Sequence, residues 1–187
     1  MGRVSTPRPP KRIVSSDDLD DLILTPSRER WVVAVHEAGH AVIAEMVGFV
    51  VKDVQTENAY KCCARPDWRI DIPPSGISSE TGDEMDRQAL YVLAGGKAEI
   101  RDPTGKGVAE YTAKDDEYFE NLRPGYDRQE LVSDWRKRMH AAAVTLVHKH
   151  WDKIEVVARA LYASKNGRLS GPEVRRIISA KTVSKSV

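Results

Sequence analysis

The sequence predicts a mainly α-helical (α+β) domain with one small β element. Three observations predict it. Apolar residues at helical spacing run from Thr25 to Val47, from Thr81 to about Ile100, and from Asp127 to Ser164. Capping residues or Gly and Pro punctuate these stretches. Only between Phe49 and Ile72 does the pattern change to β-branched residues in partial alternation.

The first helix opens at Thr25-Pro26, a cap followed by a proline suited to a first helical turn, and stops at Gly48. "FVVKDVQTE" and "WRIDI" then read as two or three short strands, ended by Pro73-Pro74. Thr81-Gly-Asp-Glu84 has the capping-box pattern and opens the second helix. "RDPTGKG" reads as a loop. Thr112 is expected to cap a short helix with Asp115, Asp116 and Glu117 in its first turn, ending before Pro124-Gly125. Asp127 to Glu130 opens a long helix to about His150. Another runs from Trp151 to Ser164 and stops at Asn166-Gly167. Ser170 to Glu173 caps a final helix. Residues 1–22, rich in Pro, Ser and charge, are expected to be a flexible arm, 23–180 the domain, and 181–187 a frayed tail.

Composition narrows the function classes. The 187 residues suit one domain with a real core. With 29 basic against 28 acidic residues, the net charge of +1 gives no global field for nucleic acid. Cys62 and Cys63 are adjacent and poorly placed to pair with each other, which suggests reduced thiols and a cytoplasmic location. The richest apolar stretch, Val32 to Val51, is interrupted by His36, Glu37, His40 and Glu45, so no membrane span is expected. The N-terminus has no apolar core of a secretory signal.

That same stretch holds "AVHEAGHAV". On a helix, His36 and His40 lie on one face, one turn apart, and can share a metal ion. Glu37, beside the first histidine, is positioned to accept a proton from a water that the ion activates. The helix is apolar enough to be buried, and a buried carboxylate needs partners. A catalytic zinc site has three protein ligands and an open position, so a third ligand is required. His140, His148 and His150 read as ordinary surface or half-buried histidines. The better candidates are Asp115 and Asp116 in "YTAKDDEYF". Their plainer reading is charge compensation at a helix N-terminus. The plainer reading of the whole motif is a buried polar pair in a helical structural protein.

These segments resemble the peptidase domain of the FtsH-type ATP-dependent zinc metalloproteases. "AVHEAGHAVIAEMVG" resembles that family's zinc helix, and "YVLAGGKAEI" its Gly-Gly helix. "TAKDD" resembles its aspartate segment, and "ALYASKNGRLSGPEVRRII" its closing helix; together they cover about residues 30 to 180. The resemblance implies a helical zincin-like peptidase domain that binds Zn2+ through His36, His40 and Asp116, with Asp115 the fallback. It implies Glu37 as the catalytic base, and the strand region Val50–Glu57 as the edge along which an extended substrate lies.

There are departures. No GxxxxGK[ST] loop occurs, "PTGKG" lacking its first Gly and its final Ser or Thr, so no ATP is expected to be bound. Tyr118 and Phe119 are bulky where the family has smaller or more polar residues, and "VQTENAYKCCARPDWRIDIPP" matches its strand poorly. The reading is a stand-alone zinc metalloendopeptidase acting on polypeptide. The alternative is a zinc-binding but inactive regulatory or partner-binding module on a peptidase scaffold.

Overall fold

The computed structural model describes residues 25–56, 62–66, 79–102, 109–122 and 130–183. In chain order these form α1 (Thr25–Met46), β1 (Val51–Thr56), β2 (Cys62–Pro66), α2 (Ser79–Arg101) and α3 (Ala109–Asn121). They continue with α4 (Val132–Lys149), α5 (Trp151–Ala163), β3 (Arg168–Ser170) and α6 (Gly171–Val183). The architecture is mainly helical with a small antiparallel sheet, as the sequence predicts. No described helix is long and apolar enough to cross a membrane.

The core is built around α1. Every residue from Val32 to Ala44 is buried, so this helix is covered on all sides, as a helix apolar all round must be. It packs on α2, α5 and the sheet. Its small residues allow close approach. A side chain added at Gly39 would stand 2.8 Å from the Ala94 carbonyl oxygen and 2.8 Å from Ala98 Cβ. Glycine at that position lets α2 lie directly against α1. The helix ends in a Schellman motif: Gly48 takes φ +92°, the Phe49 N–H donates to the Ala44 carbonyl at 2.9 Å, and the Gly48 N–H to the Glu45 carbonyl at 3.3 Å.

The sheet has the order β2-β1-β3, both pairings antiparallel, with Val54 opposite Ala64 on one side and Leu169 on the other. A bulge between Val51 and Asp53 breaks the strict alternation of β1. Arg175 of α6 ties the sheet to α1, donating to Glu45 Oε1 (2.9 Å) and to the Val51 carbonyl (3.2 Å), while the Val51 N–H donates to the same Glu45 oxygen. On the other flank, α4 buries Trp135 completely. Its indole N–H donates to Asp86 Oδ1 at 2.7 Å, and its ring stacks on Phe119 of α3.

The expected cap at Ser170 is held by Glu173: the Ser170 backbone N–H and hydroxyl both donate to Glu173 Oε2, at 2.8 and 2.6 Å. Two other expected caps move inside their helices. Thr81 is the third residue of α2 and Thr112 the fourth of α3, because both helices begin earlier, at Ser79 and Ala109. β3 was not expected; it forms because Arg168 to Ser170 pair with β1 after the turn at Gly167, where φ is +60°. Helix α6 continues to Val183, so residues 181–183 are helical where a frayed tail was expected. The arm over 1–22, the strand over 68–72 and the loop residues 103–107 lie outside the described residues. Helix α4 begins at Val132 with Leu131 as its N-cap, later than the start expected at Asp127 to Glu130.

Candidate metal centre

Helix α1 delivers its residues as the spacing requires. His36, Glu37 and His40 are 3, 2 and 4% exposed. Helix α3 brings Asp115 to them across the core. Asp115 Oδ2 lies 3.0 Å from the Nε2 of each histidine, and the two Nε2 atoms are 2.9 Å apart. Among the described residues these three form the group whose ligand atoms could hold a metal ion, all within 4.8 Å of one another.

The far side of each imidazole is fixed. His40 Nδ1 is 2.8 Å from the Tyr91 carbonyl oxygen. A carbonyl only accepts, so Nδ1 carries the hydrogen and the Nε2 lone pair of a neutral His40 points into the cluster. His36 Nδ1 meets Glu99 Oε1 at 2.6 Å, with Glu99 1% exposed. Both contacts come from α2, whose Gly95 lies between them. A Cβ on Gly95 would fall 2.7 Å from His36 Nε2 and nearer still to His40 Nε2. Only a residue without a side chain lets α2 run across the two ligand nitrogens.

The donor set fits a cation. Two imidazole lone pairs and a carboxylate oxygen converge with 2.9–3.0 Å between them, which is repulsive unless a positive charge lies among them. Without a metal, a proton takes that place. Burial opposes it, but the hydrogen bonds to Asp115 and Glu99 and the charges of Glu37 and Asp115 prevail, and the His36 pKa is raised to about 10. Asp115 is opposed by burial in the same way, yet the two histidines hold it well below the usual carboxylate range. Two nitrogens and one carboxylate oxygen are a common zinc set. Such ligands stand about 2.0–2.2 Å from the ion, so a tetrahedral arrangement asks the cluster to open by only a few tenths of an ångström.

Asp116, the first choice for the third position, does not join. It is exposed, about 100° around α3 from its neighbour, and its charge acts on His140. The fallback, Asp115, is the residue that meets the histidines. The reason is helical register. Phe119 and Leu122, four and seven residues after Asp115, are buried and set the inward face of α3. The alternative face, Thr112, Asp116 and Glu120, is polar throughout. That apolar spacing was available in the sequence as a signal for Asp115. The start of α3 at Ala109 also puts Asp115 in the second turn, beyond the reach of simple dipole compensation.

Strand β1 is not an edge. Asp53, Val54 and Gln55 are paired on one side with β2 and on the other with β3, so the middle of the expected substrate edge, Val50–Glu57, is not open to an extended chain; Glu57 lies outside the described residues. Among the described residues β2 is paired on one side only. The remaining histidines are ordinary, as expected. His140 packs on the Phe119 ring at 5.0 Å, and burial, then Lys97, push its pKa down. His148 is exposed, and His150 is half-buried. Glu99, Gly95 and the Tyr91 carbonyl were not predicted as site groups. A glutamate among the apolar residues of α2 was the available signal for Glu99.

No protein-family model matches the chain, and no curated protein matches it.

Proposed function

We propose that the protein is a zinc-dependent metalloendopeptidase, with a domain of FtsH-like, zincin type that hydrolyses peptide bonds in polypeptides. The observation that carries this reading is the meeting of His36 Nε2, His40 Nε2 and Asp115 Oδ2, with Glu37 buried one residue from the first ligand.

In this reading His36, His40 and Asp115 hold the ion. Bound zinc supplies Lewis acidity, which brings the pKa of a water to about 7 and polarises a carbonyl. Glu99 and the Tyr91 carbonyl hold the imidazoles in the tautomer that presents Nε2. The Glu37 carboxylate takes the proton of the attacking water and passes it to the leaving amine. Its burial strengthens that proton transfer by keeping bulk water away. An extended polypeptide would add to β2, which among the described residues is paired on one side only, whereas β1 is paired on both.

Metal analysis and casein turnover test the proposal together. About one zinc per chain is expected, falling sharply in His36→Ala. Glu37→Gln is expected to keep its zinc and lose casein cleavage by at least about 100-fold. Cleavage that survives in Glu37→Gln would sink the mechanism. Zinc without any turnover by the natural sequence would favour the inactive binding module.

A further inference from the structure

Three arginines lie on aromatic rings along one face of the protein. On α5, Trp151, Glu155, Arg159 and Tyr162 fall within about 80° of one another around the helix, so they form one stripe. The Arg101 guanidinium, at the end of α2, stands 5.0 Å over the Trp151 ring, and that of Arg30, from α1, 5.4 Å over the Tyr162 ring. Arg159 stands 5.9 Å from the Trp31 ring, which meets Tyr162 edge-on at 5.8 Å. The Trp31 indole N–H donates to Asp102 Oδ2 at 2.6 Å, which holds that ring in place. Such stacked pairs occur about once per 70–80 residues, so three on one face exceed what scattered surface arginines supply. Their charges are unevenly met. Arg159 pairs with Glu155 at 2.7 Å. Arg30 donates to the Ser164 carbonyl, a neutral group, and Arg101 Nε is buried without a hydrogen-bond partner. Among the described residues neither Arg30 nor Arg101 has a carboxylate partner. None of these side chains belongs to the metal cluster.

We propose that this face is a docking surface for the acidic segment that precedes α1 in the same chain, residues 17–24. Residues 1–24 lie outside the described ones. Their sequence ends in Asp17-Asp18-Leu19-Asp20-Asp21-Leu22-Ile23-Leu24. Four carboxylates interleaved with leucines match two arginines that lack an anion and the rings beneath them. A guanidinium lying on a ring keeps its in-plane N–H groups for a carboxylate, which it grips with two parallel bonds. Attachment favours this occupant over a separate acidic chain. The segment joins α1 at Thr25, five residues before Arg30, and a short tether gives an effective concentration in the millimolar range. The reach suffices. The eight residues from Asp17 to Thr25 extend up to about 26 Å, and the stripe from Tyr162 to Trp151 is about 16 Å long. A nucleic acid fits less well, because Glu155 and Asp102 lie on the same face and the whole chain carries only +1.

Hydrogen–deuterium exchange on the full-length protein, at two protein concentrations, tests the docking. The amides of residues 17–24 are expected to exchange about tenfold or more slowly than those of the same segment as a free peptide. In the double variant Arg30→Glu, Arg101→Glu the slowing is expected to vanish. Adding Asp17→Lys, Asp18→Lys, Asp20→Lys and Asp21→Lys to that chain is expected to restore it. Amides of α1 from Val42 to Met46 report folding in the same run. Where the arginine variant fails to fold, Asp17→Asn, Asp18→Asn, Asp20→Asn and Asp21→Asn in the natural background serve instead, and these are expected to abolish the slowing with α1 unchanged. Exchange as fast as in the free peptide overturns the proposal, as does slowing that survives either set of substitutions. Slowing that deepens with protein concentration puts the segment on a second copy and overturns docking within one chain.

Discussion

Glu99 Oε1 lies 2.6 Å from His36 Nδ1, and both residues are buried. The contact joins α2 to α1 and fixes the imidazole from behind. Outer groups of this kind usually contribute 10- to 100-fold to metal affinity. Glu99→Gln keeps the shape and removes the charge. Its zinc affinity is expected to fall by about 10- to 100-fold, read by competition with a chromogenic chelator at fixed pH. An affinity unchanged within twofold would mean that the contact is only structural.

Asp115 and Asp116 differ by one residue and separate two readings of α3. Asp115→Asn is expected to reduce bound zinc well below one per chain after dialysis, and Asp116→Asn to leave it unchanged. Elemental analysis of both variants decides between them. Zinc loss in Asp116→Asn alone would place the wrong carboxylate at the site.

Gly95 has no room for a methyl group, since its Cβ would fall 2.7 Å from His36 Nε2. Gly95→Ala must push α2 from the histidines or turn them out of line. The expected cost is about 1–3 kcal/mol of stability together with loss of zinc. Urea unfolding and metal content measure the two effects, and a variant that binds zinc normally would contradict the close approach.

Stability of the metal-free protein should fall at alkaline pH. The His36 pKa is raised from 6.5 to about 10, so its contribution is fully present below 6.5 and is lost as pH rises through about 10. Asp115 is shifted down, so its contribution is present above its ordinary value of 3.8 and disappears as pH falls. The urea midpoint of chelator-treated protein is expected to drop between pH 6 and pH 10, and much less so in His36→Ala. Equal slopes for the two proteins would remove the pair from the account.

Much of the fold was legible because its signals are local. The stop at Gly48 follows from the backbone conformation that glycine permits, and the Ser170–Glu173 cap from groups three residues apart. Thr81 and Thr112 misled because a threonine is also tolerated within a first helical turn, and nothing nearby forbids the helix from starting sooner. The sheet order was not legible. β3 reaches β1 from more than a hundred residues away, and that pairing turns the expected edge into the centre of the sheet.

The sequence by itself determined that two histidines and a glutamate share one region of a buried helix, because 3.6 residues per turn fixes directions around a single axis. It also carried, in the spacing of Phe119 and Leu122, the face of α3 that turns inward. Only the tertiary structure decided that Asp115 meets both histidines, that Glu99 and the Tyr91 carbonyl stand behind them, and that Gly95 lies across them. Those are separations between atoms on three different helices. Periodicity along one helix cannot set them; the packing of the whole core does.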